Sequence, residues 1–166
     1  MNTNLLFDFS VNRKNNEIKV KRAFAADIDL VWDAWTKPEI LDLWWAPKPW
    51  RSETKTMDFK EGGYRLFAMV SPHNEKLWSR MDYTKIDPPK SFSYRDGFCD
   101  EKGNINTDMP RSSWTNSFGE SGGTSIVDVT IIYDKLEDLE KIISMGFKEG
   151  FTMALGNLEE LLKIKI

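Results

Sequence analysis

Apolar and polar residues alternate along Leu5–Val11 and again along Glu17–Phe24, with the turn-rich Asn12–Asn16 between them, which predicts a two-stranded hairpin over residues 5–24. The period then changes. Ile28, Val31, Trp32 and Trp35 recur at helical spacing behind Asp27 and Asp29, two acids placed to favour the positive end of a helix dipole. Thr36, Pro38 and Glu39 begin a second short helix: threonine and glutamate have capping-box spacing, and proline is tolerated in a first turn that needs no donor. This helix carries Ile40, Leu41, Trp44 and Trp45 and has to stop before Pro47 and Pro49, so the pair spans residues 27–45.

Residues 51–133 read as strand after strand: Arg51–Phe59, Gly63–Ser71, Lys76–Ile86, Lys90–Phe98, Arg111–Phe118 and Thr124–Tyr133. Their links carry turn chemistry in Gly62-Gly63, Pro72–Glu75, Asp87-Pro88-Pro89 and Ser121–Gly123, with a longer polar link over Cys99–Pro110. Links this short make neighbours antiparallel, because a parallel crossover needs about a dozen residues. The six strands therefore form a meander. After Tyr133 the helical period returns, and Leu136, Leu139, Ile143, Phe147, Phe151, Ala154, Leu158 and Leu161 line one face of a single long helix over 136–163. An antiparallel sheet of this length curls, and a long helix with an apolar face fills its concave side.

Composition narrows the function classes. With 166 residues and 40% apolar content, the chain has the size of one domain with a real core, so residues 1–166 are read as one unit. Lysine and arginine number 23 against 26 acids, a formal charge of −3 with no basic stripe, which disfavours nucleic acid. The apolar runs are short and MNTNLLFDFS lacks the h-region of an export signal, so neither a membrane span nor secretion is expected. Cys99 is the only cysteine and suits a reducing cytosol, which makes a cytoplasmic location the expectation. One histidine and one cysteine also disfavour zinc sites, Cys-His dyads and iron-sulfur clusters. His73, in SPHNE, reads as a solvated turn residue.

Five stretches in this order resemble one family: AFAADIDLVWDAWTKPEILDLWW, FKEGGYRLFAMV, IDPPKSFSY, GGTSIVDVTI and GFKEGFTMALGNLEELL. Together they are similar to the START-like (SRPBCC) superfamily, and within it to the family named after the activator of the heat-shock protein 90 ATPase. The resemblance implies an α+β helix-grip fold with a cavity between the curled sheet and the C-terminal helix, closed at one end by the two short helices and the loop after them. It leaves function open, because this scaffold hosts lipid carriers, polyketide cyclases and chaperone partners alike.

Placed on that fold, DLWWAPKPW lies at the cavity mouth. Trp44 and Trp45 follow one another on a helix about 100° apart, so they face different ways. Either Trp44, Trp45 and Trp50 seal the end of the core or they stack on a ligand. Strand alternation puts Arg65 on one face with Phe67 and Met69, Tyr94 and Asp96 with Phe92 and Phe98, and Trp114 with Asn116 and Phe118. A shift of one residue would instead turn Arg65 to solvent and Tyr64 inward. An inward Arg65, at a position where the family carries an apolar residue, needs a carboxylate or an anionic ligand. Met81, Tyr83 and Met153 suit a lining of rings and thioethers. Gly146 and Gly150, four apart on the long helix, either pack it closely or leave volume for a ligand.

The expected ligand lining is therefore Trp44, Trp45, Trp50, Arg65, Phe67, Met69, Met81, Tyr83, Tyr94, Asp96, Trp114, Phe147 and Phe151, with no catalytic set, metal or cofactor. The leading expectation is binding of a small apolar or aromatic molecule. A chaperone-interaction domain acting on the heat-shock protein 90 ATPase is second. A cofactor-free cyclase or hydrolase using Arg65, Asp96 and a tyrosine is third. Aromatic surface at the mouth would equally serve a homodimer interface.

Overall fold

The computed structural model describes residues 6–164. Leu5, the start of the expected first strand, lies outside the described residues. The chain runs β1 (Phe7–Asn12), β2 (Glu17–Phe24), α1 (Ile28–Thr36), α2 (Pro38–Trp44), β3 (Arg51–Met57), β4 (Tyr64–Val70), β5 (Lys76–Asp87), β6 (Ser91–Cys99), β7 (Arg111–Ser121), β8 (Thr124–Tyr133), α3 (Leu136–Ser144) and α4 (Phe147–Lys163).

All eight strands join one antiparallel sheet in the order β1-β2-β8-β7-β6-β5-β4-β3, so the meander β3 to β8 is closed on by the N-terminal hairpin through β2 and β8. Register shifts at Thr54/Thr56 and Tyr83/Lys85 add local bend, as bulges do. The core fills the concave face. Ile18, Val20, Val127, Val129 and Ile131 from the sheet meet Val31, Trp32 and Trp35 of α1 and Leu155 and Leu158 of α4. This is the α+β helix-grip arrangement. Among the described residues no helix is long and apolar enough to cross a membrane.

Two local expectations fail. Thr36 does not cap α2: its hydroxyl donates to the Trp32 carbonyl one turn back in α1 (2.8 Å), and Lys37 takes the cap position without a side-chain bond. The hydroxyl finds a nearer acceptor in the helix it ends than in the one it was expected to begin.

The long C-terminal helix is also two helices. Gly146 adopts φ 89° between α3 and α4, a conformation that side chains with a Cβ resist. The face that runs through Leu139, Ile143 and Phe147 survives this break because the apolar spacing is kept across it. Gly146→Ala is expected to lose about 1–2 kcal/mol in urea unfolding. Gly156→Ala, inside α4 with nothing within 4 Å of a new Cβ, is expected to gain up to about 1 kcal/mol. Opposite signs for one chemical change would isolate backbone conformation as the cause.

Candidate functional site

Register decides what faces the concave side. Arg65, Met81, Asp96, Ser112 and Tyr133 are successive cross-strand partners on β4 to β8 and form one transverse row. Tyr64 belongs to the opposite face, where the Arg80 guanidinium lies 4.5 Å from its ring centre. The one-residue shift is thereby excluded. Above and beside this row, between the sheet and the α3-α4 elbow, lies a cavity of about 260 Å³. Its mouth is marked by Leu77 and Met145, 55% and 53% exposed, and both line it.

Nine of the thirteen expected residues line this cavity: Trp45, Phe67, Met69, Met81, Tyr94, Asp96, Trp114, Phe147 and Phe151. The other four lie elsewhere. Trp44 is fully buried beside it, its indole N–H donating to the Ala34 carbonyl (2.8 Å), so only the second tryptophan of the pair reaches the cavity. Trp50 is half-buried in the turn after α2, where its amide donates to the Pro47 carbonyl (2.9 Å), and Pro47 takes the lining position. Tyr83 is buried among Phe59, Phe92 and Tyr94 at ring distances of 4.9 to 6.2 Å. Met153, which is not among the thirteen but was read as suited to a lining, is 47% exposed and faces solvent.

Arg65 is the fourth, and the most informative. It points inward and is fully buried, yet it turns from the cavity toward α2 and β3. Its Nη2 donates to Asp42 Oδ1 (3.3 Å) and Ser52 Oγ (3.0 Å), and its Nε donates to Thr54 Oγ1 (3.1 Å). The guanidinium carbon lies 3.9 Å from the Phe67 ring centre. Desolvation lowers its pKa, opposed by Tyr83 and Asp42. The counter-ion required of an inward arginine is therefore a protein carboxylate. Arg65 and Asp96, the two charged groups named for acid-base work, thus have separate hydrogen-bond partners, Asp42, Ser52 and Thr54 for the first and Ser112 and Trp114 for the second.

Asp96 is the polar centre of the cavity wall. One carboxylate oxygen accepts from the Ser112 amide (2.9 Å) and hydroxyl (2.7 Å), and the other accepts from Trp114 Nε1 (3.2 Å). Burial raises its pKa, while the Ser112 and Trp114 hydrogen bonds oppose the rise. The residue keeps some accessible surface because it opens onto the cavity, so it is cut off from bulk water but not sealed. Much of the wall is aromatic. Trp45, Trp114 and Phe151 meet pairwise at 5.5 to 6.0 Å between ring centres, and Phe147 stacks on Phe151 at 5.3 Å.

The profile of the family described as Activator of Hsp90 ATPase homolog 1-like protein matches residues 25–163. The chain belongs to this family. Among solved structures it is similar to protein Ms6760 of Mycobacterium smegmatis, at 29% identity and TM-score 0.87, covering 95% of this chain and 96% of that one. A protein of Staphylococcus epidermidis matches at 29% identity and TM-score 0.82, covering 95% of each chain. A protein of Arthrobacter aurescens, at 24% identity and TM-score 0.89 over 94% of this chain and 91% of that one, shows the same fold. No curated protein matches the chain.

Within this member of the family, several lining residues escape sequence reasoning. Ser112 and Tyr133 join the site only because they sit across from Asp96 in the sheet, and that pairing is invisible until the register is known. Ile142 and Met145 enter through the break at Gly146, which aims the end of α3 at the cavity. Gly150 lines the cavity as well: a Cβ there would meet only Pro47 Cγ at 3.8 Å. Its missing side chain leaves volume, whereas Gly146 serves the turn. The signal for Ser112 lay in RSSWTN, where the residue two before Trp114 shares its face.

Proposed function

We propose that this protein binds a small aromatic or apolar molecule in the cavity between the sheet and the α3-α4 elbow. The observation that carries this reading is an aromatic-walled cavity of about 260 Å³ that reaches the surface in place of side chains packed to close it. Protein interiors are otherwise filled to crystal-like density, and a void of this size costs stability unless it serves a ligand. The volume is just under the range of drug-sized sites, which points to a compact molecule of one or two rings. A few polar groups among many apolar ones is the usual composition of such a site, and here they are Ser79, Arg80, Asp96 and Ser112 with the tyrosines Tyr94 and Tyr133.

Calorimetric titration with a panel of one- and two-ring compounds tests the reading, with Gly150→Leu as the blocking variant. The added side chain projects into the cavity and also raises helix propensity, so the variant is expected to fold. Compounds that bind the wild type should bind Gly150→Leu more weakly by about tenfold or more. Gly150→Ala should retain most of the affinity. A panel that leaves the wild type unresponsive, or binding that ignores Gly150→Leu, would overturn the assignment.

A further inference from the structure

The carboxylate of Asp96 faces the cavity without a cation. Among the described residues none forms an ion pair with it, and each nearby arginine is committed elsewhere. Arg95 pairs with Asp134 (2.7 Å), and Arg80 and Arg111 both pair with Asp82 (2.6 and 3.3 Å). Arg95 is one residue out of phase with Asp96, and Arg80 and Arg111 oppose Gly97 rather than Asp96. Arg80 also lines the cavity, but its guanidinium is held by Asp82 and by the Gly103 carbonyl (2.8 Å). Arg65 shares the concave row but is held by Asp42 (3.3 Å). The hydrogen bonds that Asp96 receives are unequal. Oδ1 accepts two donors from Ser112, at 2.9 and 2.7 Å, whereas Oδ2 accepts only the Trp114 indole N–H at 3.2 Å, which is shared with Ser112 Oγ at 3.1 Å. A carboxylate oxygen has two acceptor directions, so Oδ2 has one in reserve.

The surrounding rings favour the same kind of partner. Trp45, Trp114, Phe147 and Phe151 form a connected aromatic wall around the space that Asp96 opens onto. Aromatic faces attract cations, and do so most strongly where water is excluded. An anion with a spare acceptor direction inside an aromatic wall is complementary to an ammonium group on an apolar body. It is poorly suited to a carboxylate or phosphate ligand, which would place like charge against Asp96.

From this we infer that the ligand of the cavity is a small organic amine, protonated, whose N–H donates to Asp96 Oδ2 while its hydrocarbon or aromatic part lies among the rings. The inference rests on the cavity-binding reading and adds the chemistry of the bound group.

The experiment compares three probes of nearly equal size by calorimetry: phenethylamine, phenethyl alcohol and phenylacetate. The expected order for the wild type is amine, then alcohol, then acid, with the amine ahead of the alcohol by roughly tenfold, the gain of a charge-assisted over a neutral hydrogen bond. In Asp96→Asn the amine and the alcohol should bind about equally, and in Gly150→Leu both should weaken. The wild-type order is informative even if Asp96→Asn folds poorly. Equal binding of amine and alcohol to the wild type, preference for the acid, or an amine preference that survives in Asp96→Asn would each overturn the inference and leave the cavity reading intact. Failure of all three probes, together with failure of the wider panel of rings, would overturn the cavity reading itself.

Discussion

Asp42→Ala is expected to destabilise the protein by about 3–5 kcal/mol, because it leaves a fully buried guanidinium without its carboxylate. The Asp42 side chain is 28% exposed, so water reaching the gap moves the expectation toward the lower figure. More than one bond is lost. Asp42 also accepts from the Thr54 amide (3.0 Å), the Thr54 hydroxyl (2.8 Å) and the Ser52 hydroxyl (2.9 Å), and so ties α2 to the start of β3. Urea unfolding of the single variant measures the loss. The double variant Asp42→Asn with Arg65→Met should recover most of it, since removing both charges removes the burial penalty with the attraction. Loss of under about 1 kcal/mol in Asp42→Ala would show that Arg65 is satisfied by Ser52, Thr54 and the Phe67 ring alone.

The second large effect separates two adjacent tryptophans. Trp44→Ala is expected to cost about 3–5 kcal/mol, the usual range for removing a large aromatic from a packed interior. Trp44 is 0% exposed, packs 5.0 Å from Trp35 between ring centres, and leaves the Ala34 carbonyl without its donor when truncated. Trp45→Ala should cost less stability and change ligand binding more, because one side of that ring already borders the cavity and truncation widens an existing space. Thermal melts and calorimetric titration of both variants should therefore give opposite rankings. Identical rankings in the two measurements would show that the pair acts as one core plug, with no division between structure and lining.

Much of the frame was legible because it depends on periodicity. Alternation located all eight strands, with β8 over Thr124–Tyr133 matching at both ends, and short polar links made their neighbours antiparallel. Helical spacing located α1 and α2 and the apolar face of the C-terminal segment. It did not reveal the break at Gly146, since a turn that preserves the spacing of Leu139, Ile143 and Phe147 leaves the pattern unchanged. The only local sign was a glycine after Ser144-Met145, the residue type that ends helices in a left-handed turn.

For the cavity, sequence could say which residues share a face but not what they touch. Arg65 was readable either as inward, in need of a carboxylate or an anionic ligand, or, after a shift of one residue, as turned to solvent. That the carboxylate is Asp42, on a helix before the strand, required α2 and β3 to be packed together in space. Asp96 was readable as a candidate, while its partners Ser112 and Tyr133 depended on the pairing of β6, β7 and β8. By itself, then, the sequence determined the order of strands and helical segments, which residues of a strand share a face and the absence of a basic stripe, because these follow from local periodicity and composition. Tertiary structure alone decided that Trp45 and not Trp44 lines the cavity, that Arg65 is neutralised from within, and that Asp96 is not. Each of these is a matter of distance between groups far apart in the chain, and such distances exist only once the sheet has curled and α4 has closed over it.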